Sequence, residues 1–226
     1  MKKITYLLPA IITSVLFTIW TILVKVVDVQ FISGIGFLGF YDLNTSVNDF
    51  VKTLNSGLFD KVTDIMFYLS FATVIPFAVI GVVQLIKTKS LKKVDAVIYY
   101  MLGAYVLIAV GYAIFEVFKV NYSPLSTTDN IKASYPSSHV FIFVTLLFVG
   151  LTGLLHFVKM NKVLKFVYLG AVSALSIAMA LTRLFSGNHY LTDVIGAVLL
   201  ASAIITIPYS IYKFTLVKEE TKEEEN

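Results

Sequence analysis

Long apolar runs separated by short polar segments dominate this 226-residue chain. A helix needs about 20 mostly apolar residues to cross the hydrocarbon core of a bilayer, which is about 30 Å thick. Each run is apolar on all sides, so its length predicts a membrane span more strongly than any helical period does. The pattern predicts an all-α bundle of six transmembrane helices: Ile4–Val24, Ile65–Ile86, Ala96–Phe118, Ser138–Phe157, Val163–Thr182 and Leu191–Tyr212.

The segment between the first two spans, roughly residues 27–61, has a different pattern. Apolar residues recur there at helical spacing with polar residues between them, as in an amphipathic helix at a membrane interface. The apolar members are Val47, Phe50, Val51, Leu54, Leu58 and Val62, and the polar members are Asp49, Lys52, Asn55 and Asp60. Packing across the top of the bundle is the simpler role for this helix, and a gate over a binding site is the alternative.

Composition excludes an ordinary soluble domain, because 58% of the residues are hydrophobic, 14% are charged and the mean hydropathy is +0.84. The length suits one membrane domain over residues 1–217, followed by a charged tail over residues 218–226 that we expect to be cytoplasmic and disordered. The net charge of +4 does not indicate nucleic-acid binding, because the basic residues form short clusters between apolar runs. Without cysteine, disulfides and thiolate metal sites are excluded.

The first run is interpreted as a retained anchor, because it is long and no small-residue cleavage site follows it.

The orientation of the chain in the membrane follows from the basic residues. If the N-terminus is cytoplasmic, the inner segments hold 12 lysines, against five lysines and one arginine in the outer segments. The positive-inside rule then predicts that both termini are cytoplasmic.

A first polar cluster begins the fourth span, with the sequence Tyr135-Pro136-Ser137-Ser138-His139. Proline suits the first turn of a helix, where its missing N–H costs nothing. The backbone N–H groups that follow have no partner within the helix and form a potential anion site at the positive end of the helix dipole. A simple helix cap with an interfacial histidine is the alternative.

A second polar cluster joins the fifth and sixth spans. It contains Arg183, the only arginine of the chain, whose guanidinium can hold two phosphate oxygens at once. His189 and Asp193 are four residues apart, so they share one face of a helix. A carboxylate on one ring nitrogen fixes the tautomer and leaves the other nitrogen free as a nucleophile. The alternative is a structural Arg–Asp pair with a chance histidine.

A third and less specific cluster, from Glu116 to Pro124, leaves the third span, and a Glu116–Lys119 pair explains most of it. All three clusters lie at the outer ends of spans in the orientation above. Of the three histidines only His156 falls at the cytoplasmic end, where we interpret it as an interfacial residue. Two histidines, one arginine and one aspartate on one face are the groups that phosphoryl transfer through a phosphohistidine requires.

These residues resemble the motifs of the type 2 phosphatidic acid phosphatases, a family of integral-membrane lipid phosphatases with the motifs K-x6-R-P, P-S-G-H and S-R-x5-H-x3-D. The spacing of the third motif is matched by Arg183, His189 and Asp193, with Thr182 in place of the serine. This match is the most specific part of the resemblance.

The second motif is matched by Pro136, Ser137 and His139, with Ser138 in place of glycine. The six-span layout also agrees with the family, so the resemblance covers most of the chain after about Ile65.

The first motif departs from the family pattern. When its proline is aligned on Pro124, Ser123 stands at the arginine position and Glu116 at the lysine position. Two phosphate-binding cations are therefore missing, and Lys119 or Lys132 is a candidate replacement.

The resemblance implies roles for the matched residues. His189 would attack phosphorus, Asp193 would orient it, and His139 would protonate the leaving oxygen and then activate water. The phosphate oxygens would be held by Arg183, Ser137 and the backbone N–H groups near Ser138. Outside the matched motifs, we expect Lys119 to add a contact with the phosphate. The family needs no metal, and we expect no cofactor; the outer segments show no carboxylate cluster suited to magnesium.

The resemblance implies hydrolysis of a lipid phosphate or pyrophosphate at the outer membrane face. Undecaprenyl pyrophosphate, phosphatidylglycerol phosphate and phosphatidic acid are the candidate substrates, and the sequence does not choose among them. The alternatives are a weak or inactive lipid-phosphate binder or transport component, a lipid phosphotransferase, and a small transporter with Glu116 and Asp193 as a proton relay. The relay requires both carboxylates deep in the bundle.

Overall fold

The computed structural model describes residues 5–54 and 57–225, with backbone only from residue 216 onward. Its elements are α1 (Leu8–Val26), β1 (Gln30–Ile32), β2 (Gly36–Leu38), α2 (Tyr41–Leu54), α3 (Leu58–Ser70), α4 (Val74–Thr88), α5 (Ala96–Val117), α6 (Ser138–Phe157), α7 (Lys162–Phe185) and α8 (Leu191–Glu225). Short 3₁₀ turns at Phe71–Thr73 and Leu91–Lys93 precede α4 and α5. The two strands form an antiparallel hairpin in which Gln30 pairs with Leu38.

Six helical segments of the described residues are long and apolar enough to cross a membrane, as the sequence predicts. They are Leu8–Val26, Leu58–Thr88, Ala96–Val117, Ser138–Phe157, Lys162–Phe185 and Leu191–Thr215. The protein is thus a multi-pass membrane protein with an all-α bundle, and the fourth span has the predicted bounds.

The second span begins seven residues earlier than its predicted start at Ile65, because α3 starts at Leu58 and continues through a 3₁₀ turn into α4. Asp60 and Asp64 interrupt the apolar run without interrupting the helix. The predicted start was therefore wrong, since hydropathy locates the end of an apolar run rather than the end of a helix.

The predicted interfacial helix exists as α2, but it ends at Leu54, and Leu58 and Val62 belong to α3. Of the predicted apolar residues of α2, Val51 alone is buried against the described part of the chain. The buried positions of α2 are Asn44, Asn48 and Val51, whereas Phe50 is 61% exposed. Asn44 faces the bundle because its amide bonds to groups there, which leaves the apolar side chains outside. Asn55 lies outside the described residues.

The centre of the bundle is α6, most of which is buried. The long helix α8 packs against α1, α5 and α6. Along its contact with α1, the Thr13 and Thr206 hydroxyls lie 2.7 Å apart, and the Trp20 indole N–H donates to the Thr192 carbonyl at 3.1 Å. At the opposite end of α6 from His139, the His156 Nε2 lies 2.9 Å from an Asp95 oxygen.

The charged end of α8 is helical to Glu225, so the expected disorder of residues 218–226 is wrong for every described residue of this tail. Lysine and glutamate are good helix formers, and no glycine or proline follows Pro208 to end the helix. The charged composition of the tail therefore did not predict its helical backbone.

A buried polar network joins α2, α8 and the long loop between α5 and α6. The Asn121 amide donates to the Thr192 hydroxyl at 3.2 Å and to the Asp193 Oδ1 at 3.3 Å, and its oxygen accepts from the Gly39 N–H. Asn44 donates to the same Thr192 hydroxyl at 2.9 Å. Because buried polar groups are costly when unpaired, this network fixes the loop against the start of α8.

We expect Asn121→Ala to lower the free energy of unfolding by about 1–3 kcal/mol, because it leaves Asp193 and the Gly39 N–H without this partner. Thermal unfolding in detergent measures the loss. The matched control is Asn130→Ala in the same loop, whose side chain is exposed. Equal melting temperatures for the two variants would contradict the role of the network.

Candidate active site

The N-terminus of α6 and the start of α8 are in direct contact. The Ser137 N–H donates to the Asp193 carbonyl at 3.2 Å, and the side chain of Ser137 is fully buried. Its hydroxyl has no hydrogen-bond partner among the described residues. Just before it, the Tyr135 hydroxyl lies 2.7 Å from that of Thr21, and the ring packs against Gly196, where an added Cβ would lie 2.4 Å from a ring carbon. These contacts hold the first polar cluster against α1 and α8.

His189 and Asp193 lie together as the spacing predicts. The His189 Nδ1 is 3.8 Å from the Asp193 Oδ2, which is longer than a hydrogen bond but within ion-pair range. Asp193 is fully buried and also accepts from the Tyr190 N–H at 3.0 Å. Its position is therefore fixed, and a small rotation of the His189 ring would close the remaining gap.

The His189 imidazole is shielded from solvent. Burial lowers the pKa of His189 below its usual value; the Asp193 carboxylate and the Ser134 backbone oppose this shift, and Arg183 adds to it. Because the shift is downward, the ring is neutral at neutral pH. A neutral imidazole has the free nitrogen lone pair that nucleophilic attack requires.

Arg183 has a partner that the sequence reading missed. Its Nη1 donates to the Asp60 Oδ1 at 3.0 Å, and the Asn188 amide donates to the same oxygen. Arg183 is 9% exposed, and its Nε has no partner among the described residues. An Arg–Asp pair thus exists, but it joins Arg183 to α3 and not to Asp193, which leaves Asp193 beside His189.

His139, the second residue of α6, also contacts α3. Its Nε2 lies 3.4 Å from the Asp64 Oδ1, and its ring packs on the Phe67 ring with centroids 4.3 Å apart. The opposite nitrogen, Nδ1, is buried and has no partner among the described residues. The ring therefore presents Nε2 to the acidic side of the site.

Two cavities meet at His189. The larger has a volume of about 240 Å³ and is lined by Asp60, Asp64, Ser123, Leu125, Lys132, Ala133, Arg183, Asn188 and His189. The smaller, of about 80 Å³, is lined by residues that include Glu116, Ser138 and His189. The larger cavity is polar. It contains basic groups that can bind a phosphate and an imidazole that can act as a nucleophile.

The two candidate lysines occupy different places. Lys132 lines the larger cavity, and so does Ser123. Lys119 is exposed, follows the end of α5 and lines neither cavity. Its contact with the phosphate stays a prediction, and the geometry favours Lys132 as the replacement cation. Glu116 is exposed in the last turn of α5, so the deep position that a proton relay requires is not observed.

The carboxylates of α3 were not predicted from the sequence as site residues. Asp60 and Asp64 are one helical turn apart, and each side chain is 48% exposed. Among the described residues, no group of three or more His, Cys, Asp or Glu side chains is arranged to hold a metal ion. The sequence did contain a signal for them: two acidic residues at helical spacing next to an apolar span. Acidic residues in a membrane span suggest a functional site.

Known proteins resemble this chain in sequence motifs and in fold. Residues 115–215, which contain every motif residue described above, match the family model of the PAP2 superfamily. No curated protein sequence matches the chain. The fold is similar to the crystal structure of a transmembrane PAP2-type phosphatidylglycerolphosphate phosphatase from Bacillus subtilis, with 14% sequence identity and a TM-score of 0.59 over 95% of this chain and 96% of that one. The part of the chain that carries the motifs is thus similar to the PAP2 superfamily, in agreement with the resemblance of its motifs.

Proposed function

We propose that this protein hydrolyses a lipid phosphate or pyrophosphate at the outer membrane face through a phosphohistidine intermediate. The observation that carries the proposal is the cavity of about 240 Å³ in which His189, Arg183 and Lys132 line one phosphate-sized space. His139 does not line this cavity but contacts Asp64, which does, and Asp193 lies behind His189. This arrangement supplies a nucleophile and two cations in one cavity, with an acid next to it.

The first step is attack by the neutral His189 on phosphorus. The lone pair of Nε2 forms the N–P bond while the electrons of the P–O bond pass to the leaving oxygen. Asp193 faces Nδ1, where it stabilises the positive charge that develops on the ring. Its full burial strengthens this interaction, because the local dielectric is low.

His139 completes both steps by moving one proton. Its Nε2–H gives the proton to the leaving lipid oxygen, which departs as an alcohol or as the shorter phosphate. Water then gives a proton to the same nitrogen while its oxygen bonds to phosphorus and the P–N bond breaks. His139 is thereby restored for the next turnover, and His189 regains its lone pair.

Binding of the phosphate group uses the remaining donors. Arg183 offers a planar fork, and Lys132 replaces one of the missing cations of the first motif. Ser137 and the unpaired backbone N–H groups of the first turn of α6 add donors at the positive end of the helix. Because Arg183 already donates a hydrogen bond to Asp60, a bound phosphate either shares the guanidinium with Asp60 or displaces that carboxylate.

The outer face is favoured by the distribution of lysines, since the opposite end of the bundle carries the basic segment Leu91–Lys93 and Lys162 at the start of α7. A site at the membrane boundary reaches the charged headgroup while the lipid tail stays in the bilayer. Phosphatidylglycerol phosphate gains support as a substrate because the similar solved structure is named for it. Phosphatidic acid and undecaprenyl pyrophosphate remain candidates.

A weak or inactive lipid-phosphate binder is the second candidate function. The observation that favours it is the ion pair between Arg183 and Asp60, which places a carboxylate on the guanidinium that phosphate requires. Such a protein would bind lipid phosphates and release no inorganic phosphate. Transfer to another alcohol in place of water would give a phosphorylated acceptor instead.

The proposal predicts that His189→Ala abolishes phosphate release, because the nucleophile is lost. Phosphate release in detergent is measured over a panel of phosphatidylglycerol phosphate, phosphatidic acid and undecaprenyl pyrophosphate, with and without chelator. The matched control is His156→Ala at the opposite end of α6, which we expect to retain full activity. Unchanged turnover in His189→Ala would remove the proposal, and binding without any release by the native protein would support the binder.

The geometry also predicts that Lys132→Ala raises KM by about tenfold, as expected for a charge-assisted contact worth about 1.5 kcal/mol, and that Lys119→Ala changes it less than twofold. Initial rates with the best substrate of the panel measure both values. A larger effect for Lys119 than for Lys132 would mean that the exposed lysine moves into the site when substrate binds.

A further inference from the structure

Helix α3 presents one face to the candidate active site. Asp60, Asp64 and Phe67 are spaced by four and three residues, so they lie along one stripe of the helix. Asp60 contacts Arg183, and both Asp64 and Phe67 contact His139. The family match over residues 115–215 does not include this helix.

The three sides of the His139 ring are occupied differently. One face lies on Phe67, with an angle of 38° between the ring planes. The Nδ1 edge is buried without a partner among the described residues, so it gives no proton to substrate. Only the Nε2 edge faces a polar group, which is Asp64, and Asp64 lines the cavity that contains His189 and Arg183.

The charges around His139 make Asp64 important. Among the described residues, Asp64 is the one carboxylate within 4.0 Å of the ring nitrogens. A carboxylate at this distance favours the charged form of an imidazole and orients its N–H bond.

We propose that Asp64 is a positioning residue for the general acid, holding the Nε2–H edge of His139 toward the leaving oxygen. This inference rests on the proposed function. When the P–O bond breaks, its electrons pass to the leaving oxygen, the Nε2–H bond breaks and the new O–H bond forms. Asp64 itself gains and loses no proton, and it compensates the charge of the imidazolium before the transfer and again after water is deprotonated.

A purely structural ion pair between α3 and α6 is the alternative. Both partners are partly exposed, and exposed ion pairs contribute little to stability. A structural role predicts the same loss of rate for every substrate. A positioning role predicts a loss that depends on how much the leaving group needs a proton, because a good leaving group departs without acid catalysis.

The test compares two substrates with different leaving groups. Dioctanoyl phosphatidic acid releases dioctanoylglycerol, whose alkoxide is a poor leaving group. 4-Nitrophenyl phosphate releases 4-nitrophenolate, which is stable without a proton. We expect Asp64→Asn to lower kcat/KM, which reports only the steps up to cleavage of the P–O bond, by about 10- to 100-fold for the first and by less than about threefold for the second. Asp49→Asn, an exposed carboxylate on α2 paired with Lys52, is the matched control and should change neither. Equal losses on both substrates at unchanged melting temperature would overturn the inference.

A double-mutant cycle with His139→Ala adds an independent measurement. If Asp64 acts through His139, Asp64→Asn lowers kcat less than about twofold once His139 is absent. Losses that multiply would show that the two residues act separately and would overturn the inference. Activation by added Mg²⁺ that disappears in Asp64→Asn would also overturn it, because the carboxylate would then hold a cation.

Failure of the proposed function gives a different result from failure of this inference. If the native protein hydrolyses neither substrate, or if His189→Ala keeps the native rate, the phosphatase proposal itself fails. If the native rate depends on His189 but Asp64→Asn shows no dependence on the leaving group, only the role of Asp64 fails.

Discussion

The burial of Asp193 is the constraint on which the rest of the site depends. A carboxylate removed from water is stable only if every oxygen finds partners, and here the partners are the Tyr190 N–H, the Asn121 amide and, at longer range, the His189 ring. The first turn of α8 also favours a negative charge, because the positive end of the helix dipole lies there. The groups that satisfy Asp193 therefore bring the loops on either side of the site into contact.

The larger cavity balances opposite charges. Arg183 and Lys132 are cationic, whereas Asp60 and Asp64 bring two carboxylates to the same space. Both carboxylates have partners in this geometry, because Asp60 contacts Arg183 and Asp64 contacts His139. Under the proposed function, an entering phosphate replaces some of these contacts, so its affinity depends on how far α3 moves.

Much of the fold follows from hydropathy and length, since the six spans of Leu8–Val26 through Leu191–Thr215 are recognisable as apolar runs. The convergence of Arg183, His189 and Asp193 was predictable because they are close in sequence, and His139 was predictable because its cluster begins a helix at the same end of the bundle. Asp60 and Asp64 were not predictable as partners, because 123 residues separate Asp60 from Arg183 and no local pattern encodes which helices become neighbours. The orientation of α2 was also missed, since Asn44 is buried by a specific hydrogen bond and not by its hydrophobicity.

The central claim is that His189 becomes covalently bonded to phosphorus, and direct capture of the phosphoenzyme tests it. The native protein is mixed with a ³²P-labelled lipid phosphate, quenched in alkali within the first turnover and digested for mass spectrometry. The account predicts an acid-labile, alkali-stable phosphate on the peptide that contains His189, and none on the same peptide of His189→Ala. Turnover that proceeds at the native rate with no label on His189, or with the label on His139, would contradict it.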